Sequence, residues 1–140
     1  MWLLLDRRLV PPAFGGDRIE VCDLLSKQGH FIHVKKRTRS STLSHLFAQG
    51  TVSAEAFLGD SGFRDGLRQV VNKLKPSFAS LVPRERPDPS RYEVAYVIIT
   101  KKPENVPKSL PFFSQLHLMQ AAHRLRVMGY RVSVCGVKEE

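Results

Sequence analysis

Residues 19–35 read IEVCDLLSKQGHFIHVK, and the two apolar runs inside this stretch decide the fold. Ile19 to Leu25 and Phe31 to Lys36 are rich in Val, Ile and Leu, and Ser26-Lys27-Gln28-Gly29-His30 between them has the length and the glycine of a hairpin connection. The two runs are therefore predicted to pair antiparallel. Side chains alternate across a strand, so His33 and Lys35 share one face of the second run while Ile32 and Val34 take the other, the expected core side. On the first run Val21, Asp23 and Leu25 share a face, and the hairpin brings Asp23 near His33 and Lys35. Glu20 lies three residues from Asp23, and so on the opposite face unless a bulge re-aims it.

Outside the hairpin, Trp2 to Leu5 is a short apolar strand closed by Asp6-Arg7-Arg8, and Pro11, Pro12, Gly15 and Gly16 break the chain after it. Leu43, Leu46 and Phe47 follow helical spacing in a helix over 41–49, opened by Ser40 or Ser41 and closed by Gly50. Further helical segments are predicted over 53–58 and 61–74, the second with a stripe of Phe63, Leu67, Val70, Val71 and Leu74. Pro83, Pro87 and Pro89 mark an exposed connection to YEVAYVIIT (residues 92–100), a nearly continuous apolar run that reads as a central strand buried on both faces. The longest helix is expected over 112–128, with Phe112 and Phe113 in the core and Gly129 at its end, before a last strand over 130–137. A meander followed by crossover units implies an α/β fold: one mixed sheet, antiparallel first and crossover strands second, flanked by helices.

Composition fits one domain over 1–140, with 42% hydrophobic and 25% charged residues. Lys and Arg total 22 against 13 Asp and Glu, and the net charge of +9 favours a polyanionic partner. Two cysteines, Cys22 and Cys135, do not make a disulfide framework, and the opening MWLLLD is too short for a signal-peptide core or a membrane span. The expectation is a cytoplasmic protein that uses no membrane, and a chain that begins almost inside a strand reads as the C-terminal part of a longer protein. Composition leaves a homo-oligomer open.

Asp23, His33 and Lys35 together would supply an acceptor for a hard cation, a nitrogen ligand or acid–base group, and a cation. Phosphodiester hydrolysis needs such a set: a metal neutralises the phosphate and lowers the pKa of a water, and a lysine orients that water or stabilises charge in the transition state. The bland reading is that Asp23 ends a strand and Lys35-Lys36-Arg37 is a solvated basic edge. Ser41, His45 and Gln49, four apart, stack on one face of the following helix, where a merely solvated face would favour Lys and Glu. Lys36, Arg37 and Arg39 after the strand, and His117, His123, Arg124 and Arg126 on the last helix, offer phosphate contacts from two sides. A zinc site from His30, His33 and His45 lacks a cysteine pair, and no aromatic motif for stacking single strands is apparent.

An acidic strand, a short turn, an apolar strand whose spaced pair ends in lysine, and a helix with a polar stripe together resemble the PD-(D/E)XK nuclease superfamily, the restriction-endonuclease-like fold. The runs IEVCDLL, HVKKRTRSSTLSHLFAQG and LPFFSQLHL also resemble the C-terminal region of a sporadically distributed bacterial protein family of uncharacterised function. The superfamily resemblance implies a nuclease acting on nucleic acid, DNA in the first place, with a function in defence against foreign DNA by analogy. It implies a divalent metal, Mn²⁺ or Mg²⁺, held by Asp23 and a neighbour, with His33 or Glu20 as that neighbour and Lys35 as the catalytic lysine. Lys36, Arg37, Arg39, Ser41, His45 and Gln49 would then lie beside the substrate. The chain departs from the pattern at His33, where a carboxylate is usual. A neutral imidazole there would weaken Mg²⁺ binding and favour Mn²⁺. The alternative is an inactive nucleic-acid-binding or assembly module on the same fold.

Overall fold

The computed structural model describes residues 1–6, 8–13, 18–37 and 40–140, with the side chains of residues 40, 41 and 105 outside that description. Among the described residues a five-stranded sheet runs in the order β1 (Trp2–Leu4), β4 (Leu24–Ser26), β5 (His30–Lys36), β6 (Glu93–Thr100), β7 (Arg131–Lys138). A separate ribbon pairs β2 (Leu9–Val10) with β3 (Ile19–Glu20). The helices are α1 (Ser40–Gly59), α2 (Ser61–Leu74) and α3 (Phe112–Met128). Among the described residues no helix is long and apolar enough to cross a membrane.

The predicted hairpin is present: β4 and β5 pair antiparallel with Leu24 against Ile32 and Leu25 against Phe31. Gly29 turns the connection at φ 89°, a left-handed conformation that glycine adopts without a Cβ penalty. β1 joins β4 antiparallel, whereas β6 and β7 run parallel to β5, each reached through a helical crossover. The meander-then-crossover order read from the sequence is therefore the observed one.

Register decides which side chains meet. Parallel pairing sets Phe31, His33 and Lys35 beside Val94, Tyr96 and Ile98, and the latter three are fully buried. Two tyrosine hydroxyls pin α1 to this face, Tyr96 donating to the Phe47 carbonyl at 3.0 Å and Tyr130 to the Ala54 carbonyl at 2.7 Å. The far end of α1 is held by Arg64, whose buried guanidinium donates to the Phe57 and Leu58 carbonyls at 2.9 and 3.0 Å. These orphan C-terminal acceptors thereby gain a charged donor.

Five expectations are corrected by this packing. Ile19 to Leu25 is not one strand: residues 21–23 leave strand geometry, and the run divides between the ribbon and the sheet. The helix-covered core side of β5 is that of Phe31 and His33, not of Ile32 and Val34; Ile32 is buried too, but Val34 only partly. β6 is fully buried on one face and half-buried on the other, because Ala95, Val97 and Ile99 face away from the tyrosine-pinned helix. Gly50 does not end a helix but lies inside α1, which is longer than α3, and the Tyr96 ring occupies the space a Cβ there would need. Phe112 and Phe113 are not core residues; they are 73% and 63% exposed.

Candidate functional site

The break at residues 21–23 builds the site. Leu5 N–H donates to the Asp23 carbonyl at 2.9 Å, which extends the β1–β4 pairing and draws Asp6 alongside Asp23. Asp23 N–H donates to the Ile32 carbonyl at 2.9 Å, and Val34 N–H donates to the Asp23 carboxylate at 2.6 Å. A side-chain oxygen thus takes the ladder position of a backbone carbonyl. The main chain is free to turn off toward β3, and Glu20 is re-aimed as only a bulge-like break permits. Carboxylate oxygens of Asp6, Glu20 and Asp23 then all lie within 4.8 Å of one another. They share a cavity of about 610 Å³ with His33, Lys35, His45 and Gln49.

Sequence reasoning treated Asp6 only as the end of the first strand. The available signal is a carboxylate directly after a strand that the meander sets beside the run carrying Asp23, but the register that brings the two side chains together is not legible in either run.

Burial raises the Asp23 carboxyl above the usual carboxylate range against the Val34 hydrogen bond, and the nearby charges of Glu20 and Asp6 push it the same way. Gln49 Nε2 donates to Glu20 at 3.4 Å, tying α1 to the acidic cluster. His33 is 4% exposed, and burial lowers its imidazole pKa to about 4, so it is neutral at pH 7. Its Nε2 is buried and has no hydrogen-bond partner among the described residues. Lys35 is exposed at the end of β5 on the cavity wall.

The remaining expected residues divide. His33 lines the cavity but is not among the ligand atoms that meet within 4.8 Å. Lys36, on the opposite face of β5, pairs with Glu139 at 3.3 Å, and the Arg37 guanidinium donates to the Ser109 carbonyl at 2.9 Å. His45 opens both onto this cavity and onto a groove shared with His117, Gln120 and Arg124. Ser41 belongs to α1 with its side chain outside the description, and Arg39 lies outside the described residues altogether. His30 bonds Ser26 Oγ at 2.8 Å and approaches Glu93, so among the described residues the three histidines form no metal-holding group.

Fold and site define a mixed α/β protein with a carboxylate cluster and a lysine beside the central strand, where a meander gives way to crossover strands. Residues 1–138 match the model of a family of unknown function, DUF6119, and the chain belongs to that family. No curated protein and no solved structure gives a significant match.

Proposed function

We propose that the chain is a metal-dependent phosphodiesterase acting on nucleic acid, built as a variant of the PD-(D/E)XK plan. The observation that carries this reading is the convergence of Asp6, Glu20 and Asp23 within 4.8 Å, in one cavity with Lys35. The donor chemistry fits a divalent cation: three carboxylates crowd together, burial and mutual repulsion raise Asp23, and hard cations take oxygen ligands. When bound, such a cation would neutralise a phosphate and lower the pKa of a water. Since His33 stands apart from the cluster, the oxygen set suits Mg²⁺ and Mn²⁺ alike.

Lys35 holds its ammonium at the cavity wall, where it can orient a water or stabilise charge on a phosphate oxygen. Val34 N–H fixes the Asp23 carboxylate, and Gln49 steadies Glu20. Neutral His33 adds no positive charge to oppose cation binding. Glu20 and Asp6 restore the negative charge that histidine withholds at its position.

The test compares wild type with Lys35→Ala on DNA and RNA substrates in Mg²⁺ and in Mn²⁺. Cleavage by wild type alone supports the reading, and equal cleavage by both proteins ends it. Calorimetry that detects no uptake of either cation would favour a binding module on the same scaffold.

A further inference from the structure

Two adjacent phenylalanines stand in solvent at the start of a 17-residue helix, a position that burial does not explain. Phe112 and Phe113 are 73% and 63% exposed, with ring centroids 5.4 Å apart and planes at 74°. Gln115 Nε2 donates to the Lys108 and Leu110 carbonyls at 3.0 and 2.7 Å, which fixes the preceding loop to the first turn of α3. That loop is tied in turn to the end of β5 by the Arg37 guanidinium on the Ser109 carbonyl. The ring pair is therefore joined, through Ser109 and Arg37, to the end of β5 that carries Lys35 on the wall of the carboxylate cavity.

Charge tells what would lie across this surface. Lys35 and Arg37 at the end of β5, Lys101 and Lys102 directly after β6, and Lys108 in the loop held by Gln115 are all exposed. The chain carries a net charge of +9. Open aromatic rings bordered by cations match a polymer with apolar flat faces and a regularly charged backbone. In a duplex the bases are already stacked on each other and offer their faces to nothing else; in a single strand they are available. We infer that Phe112 and Phe113 are a base-stacking platform that selects single-stranded nucleic acid and leads it past Arg37 toward the carboxylate site, an inference that rests on the nuclease reading above. Either sugar fits this chemistry. Leu116 and Met119, 37% and 68% exposed on the same helix, are the features a protein partner or a second copy would use instead.

Fluorescence anisotropy of labelled oligonucleotides with the full chain, in EDTA to prevent cleavage, tests the inference. Single strands should bind about tenfold tighter than duplex of the same length. Phe112→Ala with Phe113→Ala should weaken single-strand binding about tenfold or more, leave duplex binding unchanged, and preserve the salt slope, because phosphate contacts remain. Phe112→Trp with Phe113→Trp should keep the affinity. Deoxy and ribo strands in parallel arms identify the sugar. Thermal melts establish that the exposed-site variants fold like wild type. The platform is overturned if wild type binds duplex as well as single strand, or if the double alanine variant binds single strands normally, including where sedimentation shows that it has lost a dimer. Salt-dependent binding that ignores the phenylalanines sinks only this inference. Failure to bind any oligonucleotide at low salt, both in EDTA and with Ca²⁺ in its place to offset the carboxylates, sinks the nuclease reading with it.

Discussion

The Val34 N–H donates to the Asp23 carboxylate at 2.6 Å, with Asp23 one residue and Val34 two residues beyond the last paired position of the β4–β5 hairpin, Leu24 with Ile32. This bond makes Asp23 both a structural member of the ladder and a wall of the cavity. Removing the carboxylate should therefore act on stability and chemistry separately. Asp23→Ala leaves a backbone donor without its charged acceptor and should cost about 1–3 kcal/mol. Asp23→Asn keeps an acceptor and should cost under about 1 kcal/mol while abolishing cleavage. Urea unfolding and nuclease assays on the two variants check the separation; equal stability losses would show that the charge, not the acceptor, holds the turn.

The acidic cluster should be a liability without a cation. In EDTA, Glu20→Gln relieves repulsion on Asp23 and should raise the melting temperature slightly. With Mg²⁺ or Mn²⁺ at a hundred times its dissociation constant, wild type should gain about 2.7 kcal/mol. Glu20→Gln with Asp6→Asn should gain little. Calorimetric melts with and without each cation read both effects, and a cation response that survives the double variant would move the metal elsewhere.

His33 makes stability depend on pH. Its folded pKa of about 4 lies below the ordinary 6.5, so below 6.5 the unfolded chain takes up a proton that the native state refuses. The contribution is fully present above 6.5 and is lost as pH falls toward about 4. Between about pH 7 and about pH 5 this costs roughly 2 kcal/mol. His33→Gln should remove that share of the slope; identical pH profiles for the two proteins would show that the imidazole titrates normally.

Gly50→Ala drives a methyl into Tyr96, whose ring packs on His33 at 5.7 Å and whose hydroxyl holds α1. Overpacking of this kind costs about 1–3 kcal/mol even though alanine favours helix. The Gly50→Ala, Tyr96→Phe double variant should recover part of that loss, because the clash is with the phenol end. Denaturant midpoints of the single and double variants measure it.

The sequence by itself determined what local pattern controls. Alternation and a glycine turn specified the β4–β5 hairpin, and apolar spacing with Gly129 specified α3 to its observed bounds. Asp23 and Lys35 were legible as neighbours in one cavity because a hairpin converts sequence spacing into proximity. Tertiary structure decided the rest. Asp6 joins Asp23 only because β1 pairs on the far side of β4, and a strand's alternation does not name its neighbour. Glu20 turns inward because the ladder breaks where a carboxylate replaces a carbonyl, a substitution that alternation counts as ordinary strand. Phe112 and Phe113 are apolar in sequence whether buried or bare. Which of the two they are depends on how much surface the sheet leaves α3 to cover, a property of packing that no single helix carries.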